Sequence, residues 1–436
     1  MANNLLETYQ KRLAISESVH QKSFGESMSS AKKIAIASCL NNVTKFMNEA
    51  FDNSVGTQRA DLGAWKKFAL DLTTVAVPNL IAFDLVMVQP MSSITGYINY
   101  IQYTAGSNKG NTHQGDVLND PFRLGSVDTN YTSERVVETV TVDGNGKATL
   151  AWFPVVNTTD VHPELVGAAD GATITVTDAA KGEVTIANLG ENVTTAKVRY
   201  VYDNVVIPQN DLPIINAHME GIALKARARR VAVYYSQIAA FQAKNDHGID
   251  LESQLAEKAC GQLAYEIDTE ITQLLIDNAD SDEDLVWSKT LPVGVNKKDH
   301  YEGFSEIIEI ARQRIYDRTK RFAPNYMLIA SNILPVLTFI NGFSAASANN
   351  VNGPYLAGTL NGLKVFVTPN IDAGKFVIGV NSNQLQATAA VYAPYMALVP
   401  TQLLGYADGG MSQGWSTMYD LQLLNKDLLI AGRITA

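Results

Sequence analysis

The stretch LESQLAEKACGQLAYEIDTEITQLLID, residues 251–277, decides the fold. Most of its apolar side chains recur every fourth residue, at Leu251, Leu255, Ala259, Leu263, Ile267, Ile271 and Leu274 or Leu275. This spacing keeps them on one slowly drifting face of a helix. Asp250 is a candidate N-cap, and the polar run from Asp277 to Asp284 ends the pattern. The sequence therefore predicts one long amphipathic helix.

The chain after this helix alternates between helix and strand. The pattern predicts a second helix over 301–320 and a short one over 332–340. Residues 342–358 are rich in Gly, Asn and Ser and are expected to form a loop. Strands are predicted at 326–330, 364–368, 376–380, 387–398 and 415–434. The predicted class is α+β.

The first 75 residues have the composition of an arm. A narrow apolar stripe is formed by Ile36, Leu40, Val43, Met47 and Ala50, and polar residues surround it. Because the stripe spans barely two heptads, packing on a neighbour is favoured over a coiled coil.

The middle of the chain divides into stretches with different predicted secondary structure. Residues 80–105 are strand formers, and 105–115 form a Gly/Asn-rich loop. Residues 134–203 are short strands broken by turns such as Asp143-Gly144-Asn145-Gly146, which is typical of a small β-sandwich or barrel. A strand is expected again over 221–235. We therefore predict that 134–203 is an inserted β-subdomain.

Composition limits the function. The chain has 436 residues, of which 46% are apolar and 18% charged, and its net charge is −10. It can bury a large core, and the negative charge argues against sequence-independent nucleic-acid binding. Cys39 and Cys260 are the only cysteines, which fits a reducing compartment. Residues 1–7 lack the apolar region of a signal peptide, and the apolar stretch 389–407 contains prolines, so no membrane helix is expected.

No residue pattern points to catalysis. The sequence lacks the nucleophile-elbow, phosphate-loop, HExxH and CxxC motifs, and its six histidines are scattered. The carboxylates of the long helix, Asp268 and Glu270 among them, are interpreted as a solvated or subunit-contacting face. The run 280–284 is interpreted as a solvated loop, since Leu285 and Leu291 replace essential residues of a calcium loop. We predict no catalytic, cofactor or metal site, and no enzyme.

Two basic clusters remain as candidate contacts. Lys225, Arg227 and Arg229 alternate with small residues along a predicted strand, which would place the three charges on one face, and Arg230 follows. The second cluster comprises Arg312, Arg314, Arg318, Lys320 and Arg321. Three interpretations stay open: a solvated face, an acidic patch of another subunit, or a packaged polyanion.

Five stretches stand out along the chain: VQPMSSITGYINYIQYTAG (88–106), the segment 225–272 containing KARARRVAVYYSQIAAFQAKNDHGID, APNYMLIASNILPVL (323–337), GLKVFVTPNIDAGKFVIG (362–379) and VYAPYMALVP (391–400). In this order they resemble the major capsid proteins of tailed bacteriophages, which have the Hong Kong 97-type fold, and especially the T-even myovirus major head proteins.

The resemblance implies a shell of hexamers and usually pentamers around double-stranded DNA, assembled in the cytoplasm of a bacterial host. It also allows decoration, scaffold and portal proteins as partners. It implies an arm at 1–75, a peripheral strand and extended loop at 76–240 carrying the insertion 134–203, a spine helix at 241–290, an axial domain at 291–400 and a return to the peripheral domain at 401–436. Lys225, Arg227 and Arg229 then become candidate subunit contacts. Ile15-Ser16-Glu17 superficially fits the cleavage pattern of a maturation protease.

Three alternatives remain. An encapsulin-like bacterial compartment has the same fold, and the DNA or protein content of isolated particles separates it from a phage head. A hydrolase needs a nucleophile and base that the scattered histidines do not suggest. A β-rich adhesin or tail component is disfavoured by the long helix and the missing secretion signal.

Overall fold

The computed structural model describes residues 2–52, 70, 74, 80–110, 112–119, 131–167, 171–188, 194–205, 212–248, 251–319, 321–346, 353–382, 384–401 and 404–435. The helices in these ranges are α1 (Ala2–Thr8), α2 (Gln10–Phe24), α3 (Ser30–Asp52), α4 (Ala82–Leu85), α5 (Gln237–His247), α6 (Leu251–Asp277), α7 (Lys297–Thr319) and α8 (Leu334–Leu337). The first eleven strands are β1 (Met87–Val88), β2 (Thr95–Ala105), β3 (Val117–Asn119), β4 (Arg135–Thr141), β5 (Lys147–Thr149), β6 (Glu164–Leu165), β7 (Thr173–Asp178), β8 (Glu183–Ala187), β9 (Thr195–Val201), β10 (Ile215–Lys225) and β11 (Arg227–Ser236). The later strands are β12 (Asp280–Ser288), β13 (Tyr326–Ile329), β14 (Phe343–Ala345), β15 (Tyr355–Leu360), β16 (Leu363–Val367), β17 (Lys375–Gly379), β18 (Ala390–Pro400), β19 (Leu404–Gly405), β20 (Gly410–Leu423) and β21 (Leu429–Thr435).

The chain divides into two compact units. The first comprises Met1–Ile98 and Ile222–Ala436, and the second comprises Asn99–Gly221. No helix in the described ranges is long and apolar enough to span a membrane.

The main core of the first unit lies around a seven-stranded mixed sheet of order β12-β21-β17-β13-β16-β15-β14. All four residues of β13 are buried, as expected for a central strand. Helix α7 adds Phe304, Ile308, Ala311 and Ile315 to this core, at spacings of three and four residues. The predicted α+β class is therefore confirmed.

The predicted long helix is confirmed as α6. Leu263, Ile267, Ile271 and Leu275 are buried, as the four-residue spacing predicts. Near its middle the helix packs on a second sheet of order β1-β18-β20-β11, where Leu263 and Trp415 share a cluster. The candidate N-cap Asp250 lies outside the described residues.

The arm helix α3 packs on the body of its own unit, so the expectation of a neighbour was wrong. Ile36, Leu40, Val43 and Met47 are fully buried in the main core. The periodicity identified the apolar face, but it carries no information on which surface covers that face. The Ile15–Glu17 stretch lies inside α2, where Ser16 is buried and donates a hydrogen bond to the Thr74 carbonyl.

Asn42 attaches α3 to this body, because its buried amide nitrogen donates to the carbonyl oxygens of Met91 at 2.7 Å and Tyr395 at 2.8 Å. We expect Asn42→Ala to lower the free energy of unfolding by about 1–3 kcal/mol, since two carbonyls lose their donor. Chemical denaturation of the purified chain measures this loss. Asn41→Ala, one residue away and half-buried, is the matched control, and equal losses in both variants would contradict the assignment.

The second unit contains a β-sandwich of two three-stranded sheets. Their orders are β4-β9-β6 and β5-β8-β7. Buried side chains from both sheets, such as Val136, Val198, Val184 and Ile186, form one separate core. All residues of that core lie between 136 and 202.

Several predicted elements differ in detail, among them the expected loop 342–358, which contains strand β14 and the start of β15. Residues 80–88 contain the short helix α4 before the two-residue strand β1, instead of one buried strand. The strand expected over 221–235 is divided at Ala226 into β10 and β11, which belong to different sheets. The expected acidic loop 280–284 is part of strand β12, which pairs with β21 and contains a bulge between Ser281 and Val286.

Candidate subunit interface

The structure separates the three predicted contact residues. Lys225 ends β10, and its backbone N–H donates to the Asp420 carboxylate at 2.8 Å. Arg227 and Arg229 belong to β11, an edge strand that pairs only with β20 among the described strands. The predicted alternation therefore holds within β11, but Lys225 belongs to another sheet.

The charge of Arg229 is neutralised within the chain. Its guanidinium forms an ion pair with Glu270 on α6 and lies 5.7 Å from the ring centre of Tyr419. Tyr419 donates its hydroxyl hydrogen bond to the same carboxylate. Burial, together with this carboxylate, raises the pKa of Tyr419 above its usual range. Glu270 thus pairs within the chain, although its side chain is 37% exposed, so its interpretation as part of a solvated or subunit-contacting face holds only for the exposed part.

Lys225, Arg227 and Arg230 differ from Arg229. Their side chains are exposed, and no ion pair reaches them from any residue that the structure describes. Arg227 lies opposite Tyr419 and Arg230 opposite Ser416 in the β11–β20 ladder. These three cations therefore remain available to an external partner.

Two members of the second basic cluster pair with the acidic strand β12, Arg312 pairs with Glu309 of α7, and Lys320 lies outside the described residues. Arg314 forms ion pairs with Asp282 and, at 2.6 Å, with Asp284. Arg318 lies 3.3 Å from Asp280. Arg314 and Arg318 were predicted as part of a contact surface, and the acidic residues of 280–284 were predicted as a solvated loop. The structure shows that these charges neutralise each other between α7 and β12.

A large apolar patch on the first unit is uncovered. We define the α5 patch as Tyr234, Ile238, Phe241, Leu404 and Tyr406. Ile238 is 70% exposed and Phe241 is 67% exposed. Tyr234 and Tyr406 have ring centres 6.0 Å apart, and Leu404 and Tyr234 both pair with Ser412 in the sheet. Tyr234, Leu404 and Tyr406 thus adjoin one another, and exposed apolar side chains of this kind often mark protein–protein contacts.

The second unit has its own uncovered apolar residues, on strands β2 and β10. Ile101, Tyr103, Ile215 and Met219 are exposed, Met219 to 75%. Every residue of β10 from Ile215 to Gly221 is exposed, although strands normally bury at least one face. We call these four residues the ribbon face.

Asp268 was predicted to lie on the polar face of α6, but it is buried. It accepts hydrogen bonds from the backbone N–H groups of Ile81 and Ala82, while its Oδ1 atom has no partner. Burial outweighs these hydrogen bonds and raises its pKa to about 8. The four-residue spacing of the apolar residues in α6 does not predict that this carboxyl is buried while neighbouring carboxyls are solvated. Within the described ranges, no group of three or more His, Cys, Asp or Glu could hold a metal ion.

The Asp268 carboxyl is expected to make stability depend on pH. In the unfolded chain its pKa is close to the ordinary 3.8, so the folded state holds an extra proton between pH 4 and about 8. As the pH rises through this window, the free energy of unfolding of wild type should therefore fall relative to that of Asp268→Asn, by about 1.4 kcal/mol per pH unit at most. Chemical denaturation of both proteins at pH 5, 7 and 9 measures the difference. A difference that does not change with pH would contradict the prediction.

Comparison with known proteins identifies the family. The family model for the major capsid protein Gp23 matches residues 62–427. No curated protein sequence matches the chain.

Solved structures offer only a remote likeness. The capsid of Myoviridae phage XM1 has 8% identity and a TM-score of 0.37, over 67% of this chain and 89% of that one. A chain of Microbacterium phage Oxtober96 has 12% identity and a TM-score of 0.35, over 70% and 86%. The SrpI encapsulin of Synechococcus elongatus has 11% identity and a TM-score of 0.34, over 50% and 77%.

The family model therefore carries the identification. It confirms the Hong Kong 97-type α+β fold implied by the motifs and favours a phage head over an encapsulin. A protein of this kind self-assembles into a multimeric shell and is part of the virion. The chain belongs to the Gp23 family of major capsid proteins, which form the head shell of tailed bacteriophages.

Proposed function

We propose that this chain forms the hexamers of an icosahedral head that encloses double-stranded DNA without binding a specific sequence. Its function is assembly alone, with no catalytic turnover. It is made in the cytoplasm of a bacterial host, and scaffold, portal and decoration proteins are its further partners.

The observation that carries the proposal is the pair of uncovered apolar surfaces on one chain. The ribbon face of one copy packs on the α5 patch of the next. Each surface is too apolar to favour contact with water, at about 25 cal/mol per Å² of apolar area. Because the two surfaces differ, the contact is head-to-tail, which generates rings when the rotation closes.

Lys225, Arg227 and Arg229 mark the electrostatic part of this interface. Lys225 and Arg227 contact acidic residues of the neighbouring copy directly, since no described residue neutralises them. Arg229 acts as a positioning residue, because its pairing with Glu270 fixes β11 on α6. Long-range attraction between such surfaces speeds docking and selects orientation.

The domain assignment that accompanies this proposal follows the family plan. Residues 1–75 are the arm, 76–240 the peripheral strand and extended loop with the insertion 134–203, 241–290 the spine helix, 291–400 the axial domain and 401–436 the peripheral return. The insertion lies on the outer surface of the shell.

Electron microscopy of the purified chain tests the proposal. Closed, uniformly sized shells are expected, and Met219→Asp together with Phe241→Asp should leave only unassembled subunits with native circular dichroism. Particles from an infected host should hold nuclease-protected DNA, whereas a protein cargo would favour the encapsulin alternative. A chain that stays monomeric at all concentrations would overturn the proposal, and a reproducible activity abolished by one substitution would overturn the absence of turnover.

A further inference from the structure

Strand β7 is an unprotected edge of the inserted sandwich. In its sheet of order β5-β8-β7 it pairs with β8 alone among the described strands. Residues 173–177 read TITVT and contain no charge and no proline, the residues that usually guard an exposed edge against pairing with another strand. Asp178 follows, but its carboxylate lies 3.3 Å from the ammonium of Lys181. The other edge strands of the sandwich are charged or short, since β4 begins with the exposed Arg135, β5 has three residues and β6 has two.

The backbone of β7 offers two residues for pairing with a further strand. Neighbouring residues of an antiparallel strand direct their N–H and C=O groups alternately to one side and to the other. On β8, the N–H of Ile186 donates its hydrogen bond on the β5 side. Thr185 therefore faces β7, and its partner Thr175 faces β8 in return. It follows that Ile174 and Val176, on either side of Thr175, direct their backbone groups outward.

The side chains of β7 suit pairing with an identical strand. Its three threonines are exposed on one face, whereas Ile174 and Val176 are half-buried and pack on the core of the sandwich. In an antiparallel pair centred on Thr175, Ile174 of each copy lies opposite Val176 of the other, and the two Thr175 residues face each other. Threonine pairs and aliphatic pairs stabilise antiparallel strands, and no like charges oppose one another in this register.

We propose that β7 of one copy pairs with β7 of a second copy about a two-fold axis at Thr175, which joins two three-stranded sheets into one continuous sheet. Each of the two Ile174–Val176 pairs then exchanges both of its backbone hydrogen bonds. A bulge between Val176 and Asp178 ends the regular ladder, so this register is the one that pairs both outward-facing residues within the strand.

This inference rests on the proposed function, because a shell supplies the neighbouring copies. The contact is isologous, since both copies use the same edge. It therefore joins one ring of subunits to another, whereas the proposed head-to-tail contact closes each ring.

Disulfide formation tests the register. Opposite residues that share no backbone hydrogen bonds have Cα atoms about 4.5 Å apart in an antiparallel pair, which a disulfide can span. Thr175→Cys should therefore give a covalent dimer on a non-reducing gel after shells of the full chain are oxidised. Thr173→Cys, equally exposed, is the matched control, because the two copies of residue 173 would lie about 14 Å apart. We expect at least about fivefold more dimer from Thr175→Cys. The natural cysteines, Cys39 and Cys260, are buried and should not contribute.

A charge at the axis gives a second readout. Thr175→Lys places two ammonium groups opposite each other, so its shells should dissociate at a lower urea concentration than wild-type shells. Thr149→Lys is the matched control, because Thr149 is exposed on β5, the opposite edge of the same sheet, and its shells should dissociate as wild type does. Circular dichroism checks that both variants keep the native fold.

The outcomes separate this contact from the proposed function. Equal amounts of dimer from the two cysteine variants overturn the pairing, including the case in which a different protein covers β7, and leave the shell itself unaffected. Equal urea midpoints for the two lysine variants overturn the pairing as well. If the chain forms no shell, the proposed function is overturned, and the same cysteine comparison on the unassembled chain decides the pairing.

Discussion

Shells are expected to disappear when Lys225 and Arg227 are both changed to glutamate, while the subunit stays folded. Neither side chain has an ion pair within the described chain, and both are exposed. Reversal therefore breaks no ion pair among the described residues, but in the proposed interface it places two negative charges opposite carboxylates of the neighbouring copy. Each shell repeats this penalty at every contact, so particle yield should fall by more than about tenfold. Sedimentation and electron microscopy give the yield, and circular dichroism reports the fold.

Adding Arg229→Glu to this pair should damage the subunit itself. The new carboxylate would face Glu270, which is half-buried and already accepts the Tyr419 hydroxyl hydrogen bond. Like charges at this distance repel, and removal of one partner leaves the other without compensation. We therefore expect the triple variant to lose thermal stability as well as assembly, whereas the double variant loses assembly alone.

Ionic strength provides the control. The Debye length falls from about 10 Å at 0.1 M salt to about 3 Å at 1 M, so wild-type assembly should weaken over this range. The double variant should show the opposite response and assemble better at high salt, because the added ions screen the repulsion between its like charges. Equal yields and equal salt responses in the two proteins would mean that Lys225 and Arg227 are only solvated.

Excision of residues 134–203 should leave the first unit folded and weaken the shell. The ends of this segment meet, because Arg135 pairs with Val201 and the Tyr202 N–H donates to the Glu134 carbonyl at 3.2 Å. A linker of about four Gly and Ser residues can therefore close the gap. The excised core is separate, so the helix signal of α6 and α7 should persist in circular dichroism.

The reciprocal experiment is expression of 134–203 alone. Its two sheets share one core, so a cooperative β-rich transition is expected, at the low stability typical of about 70 residues. Lys109 loses two contacts on the excision, since its ammonium lies 5.1 Å from the Tyr202 ring centre and 5.5 Å from that of Trp152. Lys109→Ala in the full chain is thus the matched control. Loss of all soluble, helical protein on excision would contradict the semi-autonomous fold of the insertion.

The sequence itself determined the long helix α6, the α+β class and the family. Leu263, Ile267 and Ile271 reveal the helix because their period is a local property of the chain. The run Tyr326–Ile329 reveals a central strand for the same reason. The order of the motifs, confirmed by the family model, then identified a capsid protein.

Only the tertiary structure decided which partners these local elements have. Asp282 and Arg314 are 32 residues apart, and Arg229 and Glu270 are 41 apart, so no local pattern indicates that they form ion pairs. The same holds for α3, whose stripe is apolar whether its own body or another subunit covers it. Periodicity determines which residues share a face, whereas the path of the whole chain determines what that face contacts. For this reason Arg229 pairs within the chain, whereas Arg227, two residues earlier on the same strand, has no ion pair with any residue that the structure describes.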